Sequence, residues 1–190
     1  KNKNNQTAFD ELMIFGRPLS PAEIMALYRR GGRQLPPPTV RIHETTAAPT
    51  IDGQRTGQEW MGCAGVTGLL DWPFGNVVKR DVNALLSYDE QNLYVLVESE
   101  RSASPETGSV ELWIAAAGAS PESSRYFIAG ADGTRTAVTA TGEQSGAKWL
   151  AAFGTAGDRE VVEIAIPLTT VNVDSSTVRQ IRLNLIKRWS

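Results

Sequence analysis

Hydrophobic and polar residues alternate along most of the chain, and the alternation has the period of strands rather than helices. In ALLSYDEQNLYVLVESE, residues 84–100, Leu86 and Tyr88 lead into the polar turn Asp89–Glu90–Gln91–Asn92. Leu93, Val95 and Val97 then alternate out of it, which places them on one face of a sheet. A second hairpin is predicted in YFIAGADGTRTAV, with Asp132–Gly133 as a two-residue turn between its arms. VELWIAA, VVEIAIP and IRLNLIK predict three further strands. Short strands at this spacing, with almost no helical periodicity, predict an all-β fold, an antiparallel β-sandwich over residues 42–190. Its expected core includes Trp60, Val95, Val97, Leu112 and Ile164.

The first residues follow a different pattern. TAFDELMIF, residues 7–15, reads as one strand, and a helix is predicted over 21–30. Ser20 is a good N-cap, Pro21 suits the first helical position, and Glu23 completes a capping box. Ile24, Leu27 and Tyr28 form an apolar face, and Gly31 ends the helix. GGRQLPPP, residues 31–38, then joins flexible glycines to stiff prolines, a boundary composition. The expected division is a strand–helix unit at 1–33, a Pro/Gly-rich linker at 34–41 and the sandwich at 42–190.

Composition removes several function classes. A net charge of −2 over 190 residues supplies no basic footprint for nucleic acid or a membrane surface. No apolar run reaches the ~18 residues of a membrane span. Cys63 is the only cysteine and His43 the only histidine. An internal disulfide and a cysteine-built metal site are therefore excluded, and a Ser-His-Asp triad has no support. His43 and Met61 have no placement that favours them as haem ligands. Glu98 and Glu100 share a strand face and are expected to be solvated rather than a hydrolytic acid/base pair. The turn acids Asp52, Asp89 and Asp132 could donate oxygens to a structural calcium ion, although no EF-hand spacing is present. No cofactor is expected to be required for folding, and calcium stays an open option.

In VELWI the residues Val110, Leu112 and Ile114 share one face, so Glu111 and Trp113 share the other. An acid beside an aromatic suits a sugar, whose C–H surface stacks on the π-face while a carboxylate accepts its hydroxyls. The competing reading packs Trp113 under a loop or against a neighbouring module. Trp72, in the loop LLDWPFGN, is either a second platform or a pin holding that loop.

Two resemblances rest on motifs. FDELMIFGRPLSPAEIMALYRRG, residues 9–31, resembles the C-terminal end of a LamG/concanavalin-like jelly-roll domain, where a final strand runs into an L-S-x-x-E-I-x-x-L-Y helix. That resemblance implies that the chain begins inside a neighbouring module of a multidomain protein. The segment from Ile42 to Ser190 resembles the family 9 carbohydrate-binding modules and their DOMON-like relatives. The carrying residues are Ile51–Asp52–Gly53 with Glu59–Trp60, the stretch SYDEQNLYVLVESE, SVELWI, EIAIP, and RLNLIKR.

This second resemblance implies a noncatalytic module that attaches a secreted or cell-surface bacterial protein to a polysaccharide. Its expected partners are a glycan and the neighbouring domains of the parent protein. Glu111 and Asn184 match pieces of the family's site, and Trp113 and Trp72 join them as candidate carbohydrate-binding residues. Sugar-binding members hold a terminal sugar between two tryptophans. Pro105 stands where the first would be, Gly108 replaces an acid, and Ile186 replaces a polar partner of Asn184. The alternative is a structural or protein-interaction sandwich that has lost the sugar site.

Overall fold

The computed structural model describes residues 39–56, 58–67, 81–101, 108–173 and 180–189. The expected strand–helix unit at 1–33, together with Trp72 and Pro105, lies outside the described residues.

The described residues form ten strands: β1 His43–Glu44, β2 Ala64–Thr67, β3 Val82–Tyr88, β4 Asn92–Glu100, β5 Ser109–Ala116, β6 Arg125–Gly130, β7 Arg135–Thr139, β8 Leu150–Ala156, β9 Arg159–Pro167 and β10 Ile181–Arg188. They form two sheets. The larger runs β1-β3-β4-β9-β8, and β2 pairs with the same edge of β3 that β1 extends. The smaller runs β10-β5-β6-β7. Every pairing is antiparallel except the short β1–β3 contact. The architecture is the expected β-sandwich.

The main core lies between the sheets. Leu93, Val95 and Val97 from β4 meet Val162, Ile164 and Ile166 from β9 on one inner face, and Val110, Leu112, Ile114 and Phe127 fill the other. Trp149 closes this core, packing edge-on to Phe127 with ring centroids 5.5 Å apart.

The larger sheet is also covered on its outer face. Trp60, Tyr94, Leu96, Val161 and Ala165 form a second apolar cluster there, with Ile51 and Cys63 packed against it. Trp60 is buried as expected, but in this outer layer rather than between the sheets. β4 and β9 are therefore buried on both sides, each over seven consecutive residues. Their sequences read accordingly as continuous apolar runs.

One carboxylate holds the covering loop down. Glu163, on the outer face of β9, is fully buried. It accepts hydrogen bonds from the Asp52 and Gly53 amides at 3.0 and 2.8 Å and from Trp60 Nε1 at 2.9 Å. Burial pushes its carboxyl above the usual range, and the three donors oppose that only in part. Gly53 has φ +80°, and a Cβ there would stand 2.5 Å from the Phe153 carbonyl oxygen. Only glycine lets the loop lie this close to β8.

A second tie corrects a sequence expectation. Glu98 is not solvated: it is buried on β4 and paired with Arg55 of the covering loop at 2.7 Å. Glu100 at the strand end is exposed. Alternation placed both acids on one face, but the loop packed over that face covers only the inner of the two. Between the sheets a buried ion pair joins Lys187 of β10 to Glu160 of β9, their side chains 1% and 5% exposed. Removing either partner would strand the other charge, a loss of about 3–5 kcal/mol.

Both predicted hairpins form. At β3–β4, the Asp89 amide donates to the Asn92 carbonyl at 3.0 Å, leaving Glu90 and Gln91 as the loop. Asp89 Oδ1 accepts from the Gln91 and Asn92 amides, each at 2.7 Å. The β6–β7 loop has three residues rather than two. Gly130 N donates to Thr134 O at 2.8 Å, Gly133 N donates to Gly130 O at 3.0 Å, and Gly133 sits at φ +84°. This is a type I turn followed by a left-handed glycine, a geometry that Asp-Gly serves as readily as the two-residue turn.

Replacing Glu163 by alanine leaves three donors without their acceptor, two of them buried and the Asp52 amide part-buried, at about 1–3 kcal/mol for each buried one. Urea unfolding of Glu163→Ala is expected to show a loss of about 3 kcal/mol or more. A loss under 1 kcal/mol would mean that water replaces the carboxylate and that the loop does not depend on it.

Candidate functional site

The outer face of the smaller sheet contrasts with that of the larger one. Val110, Leu112 and Ile114 of β5 point into the core, so Glu111 and Trp113 point outward, as alternation predicts. Trp113 is 41% exposed, an unusual state for so large an apolar side chain. The reading in which it packs under a loop is therefore not met.

Strand register builds a row of side chains around it. Asn184 of β10 is directly opposite Trp113 on one side, and Tyr126 of β6 is opposite on the other. The Trp113 and Tyr126 rings have centroids 4.9 Å apart and are tilted by 42°. Asn184 is exposed. The neighbouring row places Ile186, Glu111 and Ile128 side by side. Three of the candidate residues, Glu111, Trp113 and Asn184, thus share one surface. Trp72 lies outside the described residues.

Glu111 differs in role from the sequence expectation. It is only 5% exposed. Its Oε1 accepts from Arg188 Nε, and its Oε2 accepts from the Tyr126 hydroxyl and, at 3.2 Å, from Arg188 Nη2. Ser109 Oγ approaches Oε1 at 3.5 Å. A carboxylate offers about four lone-pair sites, so this one has little capacity left for a ligand hydroxyl. Its work is to hold the Arg188 fork and the Tyr126 ring in place from beneath.

The electrostatics follow. Burial pushes the Glu111 carboxyl up, but the Arg188 and Tyr126 hydrogen bonds more than offset this, and it ionises below the usual range. Tyr126 is pushed up to about 12, by burial first and then by its bond to the Glu111 carboxylate. Arg188, whose side chain is 61% exposed, is held more firmly protonated by the same carboxylate.

Tyr126 and Arg188 were not among the candidates. Both lie in predicted strands, but which residue stands opposite which is a matter of register, and the sequence carries no signal for it. Gly108, where the resemblance places an acid, is buried, and a Cβ there would come within 3.2 Å of the Arg188 carbonyl oxygen. The end of β10 occupies the room a side chain would need.

The acids considered for calcium each serve their own turn. Asp52 Oδ1 accepts from the Gln54 amide at 2.8 Å, and Asp132 Oδ1 accepts from Thr134 N and Oγ1 at 2.9 and 2.7 Å. Asp89 braces its hairpin and also accepts from the Tyr94 hydroxyl at 2.6 Å. Among the described residues no group of three His, Cys, Asp or Glu side chains is placed to hold a metal ion. His43 and Met61 are both exposed. An open depression of about 490 Å³ lies beside the β3–β4 turn, lined by Gln91, Asn92, Leu168 and Val173 among others. It contains none of the candidate residues.

No family model matches the chain. No curated protein matches it either. Among solved structures, the chain is similar to a carbohydrate binding module family 9 from Caldicellulosiruptor kristjanssonii in complex with cellotriose. The TM-score is 0.53 at 17% identity, over 79% of this chain and 77% of that one. A family 9 module from the same organism in complex with glucose gives a TM-score of 0.49 at 19% identity, over 77% of this chain and 84% of that one. The likeness is one of fold: this chain has the β-sandwich of a family 9 carbohydrate-binding module.

The Tyr126 shift has a testable sign. Its pKa rises on folding from 10.0 to about 12. The stabilisation from this group is therefore fully present below pH 10 and is lost as pH rises through 12. In near-ultraviolet absorbance titration, Tyr126→Phe is expected to delete one phenol that ionises near pH 12. Its stability in urea should also fall less steeply than the parent's across that window. Deletion of a phenol ionising near pH 10 would show that Glu111 does not engage it.

Proposed function

We propose that the chain is a noncatalytic carbohydrate-binding module and that it takes sugar on the outer face of the four-stranded sheet. The observation that carries this is the exposed Trp113 ring, paired with Tyr126 and flanked by Asn184, with Arg188 anchored on the neighbouring Glu111 of the same face. A sugar ring stacks its C–H face on such a platform, and the amide and guanidinium at its edge bond to hydroxyls. The fold likeness to a family 9 module in complex with cellotriose supports the same reading. The face is broad and strand-lined, which suits an internal stretch of polysaccharide lying across it better than a chain end in a slot. The module would serve attachment within a secreted or cell-surface multidomain protein, and it would fold without any obligatory ion.

The rival function, a structural or protein-interaction sandwich, requires a Trp113 that is covered or dispensable. Its exposure argues against a purely structural sandwich, and sugar binding through Trp113 is what separates the module from a protein-interaction surface.

Affinity is expected to be weak, with a Kd of about 10⁻⁵ to 10⁻³ M, or roughly −4 to −7 kcal/mol. One platform and a few hydroxyl bonds exchanged against water contribute only about 0.5–1.5 kcal/mol net each. Affinity electrophoresis against soluble polysaccharides tests this, with the parent retarded and Trp113→Ala released. Retardation that survives in Trp113→Ala would remove this face from the site. No retardation by any polysaccharide would favour the structural module. Independence from metal is read separately: EGTA should leave the melting transition in place, and unfolding at room temperature on its addition would refute that part.

A further inference from the structure

The outward positions of the four-stranded sheet carry three charged side chains: Glu111 on β5, and Arg182 and Arg188 on β10. Two arginines against one glutamate make the face locally positive, although the whole chain carries −2. The glutamate is also unavailable, since it is buried and closed on Arg188 and Tyr126. Among the described residues no carboxylate is left on this face to accept from a ligand.

Among the described residues Arg182 is the group on this face without a counter-charge. It is exposed, and among the described residues it takes part in no ion pair. Its Nη2 donates to the Ala119 carbonyl at 2.6 Å, which anchors one corner of the guanidinium and leaves other donors of the fork for solvent. Arg182 lies two residues from Asn184 on the same strand face, and Asn184 is opposite Trp113. At strand spacing the Arg182 Cα is therefore ~7 Å along β10 from the row that carries the platform. That is close to the offset between one sugar residue and a substituent on the next. Arg188 lies farther along β10 on the other side, opposite Ser109 and beyond the Glu111 row, and Glu111 holds it with one nitrogen of its fork, Nη1, not engaged by that carboxylate.

We infer that this face selects an acidic polysaccharide, one bearing uronic carboxylates, stacked on Trp113 with a carboxylate on Arg182. The inference rests on the proposed sugar site and names its ligand class. A planar guanidinium matches a carboxylate in two parallel charge-assisted hydrogen bonds, which a neutral hydroxyl cannot form. A neutral glucan could offer Arg182 only single hydroxyl acceptors and would gain less from it.

Calorimetric titration with an oligogalacturonate and a cello-oligosaccharide of equal length tests this at low and at high salt. The oligogalacturonate is expected to bind about tenfold more tightly at low salt, and the preference should shrink as salt screens the exposed arginine. Arg182→Gln should bring the two affinities together, while Trp113→Ala should weaken both. Cello-oligosaccharide bound as tightly as oligogalacturonate, with no salt dependence, would overturn the acidic-ligand inference and leave the carbohydrate-binding function standing. Oligogalacturonate binding that survives both substitutions would place the acid elsewhere on the molecule and overturn the inference too. Binding of neither sugar would overturn the inference and count against the function beneath it.

Discussion

A buried carboxylate without a cation holds this sandwich in its particular form. Glu163 stands in the middle of β9, an interior strand that pairs with both β4 and β8, and its partners are three neutral donors from one loop. A carboxylate in an apolar layer is costly to ionise, and hydrogen bonds to the charged form are what can offset that cost. The donors must therefore converge, which brings Asp52, Gly53 and Trp60 to one point on the sheet. Once they do, Trp60 covers Tyr94, Leu96, Val161 and Ala165, and the larger sheet becomes buried on both faces. Gly53 is the condition for that convergence, because its backbone lies against the Phe153 carbonyl.

The smaller sheet solves a different problem with the same side-chain type. Glu111 is also buried, but its partners include an arginine, and the result is a carboxylate easier to ionise where Glu163 is harder. The consequence for the surface is opposite as well. Glu163 draws a loop down and closes its face, whereas Glu111 holds Arg188 and the Tyr126 ring that packs on Trp113 and leaves that face open. One sheet is thereby sealed for stability while the other presents aromatic and polar groups to solvent.

Much of the fold was legible because apolar alternation and turn composition are local signals. β4 to β7, β9 and β10 lie where the pattern places them, and Leu112 and Ile164 are in the core it predicts. The errors share one origin. Glu98 reads as a solvated acid because nothing near it in sequence reveals Arg55, which is 43 residues away. The β6–β7 loop reads as two residues because Asp-Gly suits two turn geometries and strand twist chooses between them. For the site, Glu111 and Trp113 are two apart on one strand and could be paired by alternation alone. Asn184 came from resemblance, and Tyr126 and Arg188 had no local signature.

What the sequence determined by itself is most of the long strands, the faces on which their side chains alternate, and the class of sandwich they build. These depend on a period of two and on turn chemistry, which are properties of neighbouring residues. The tertiary structure alone decided that Asn184, Trp113 and Tyr126 form one row, that Glu111 is closed on Arg188, and that Arg182 stands beside them with no counter-charge among the described residues. Those facts depend on the register of β10 and β6 against β5, and register is set by the core packing of the whole sandwich. A shift of one residue would send each of these side chains to the opposite face.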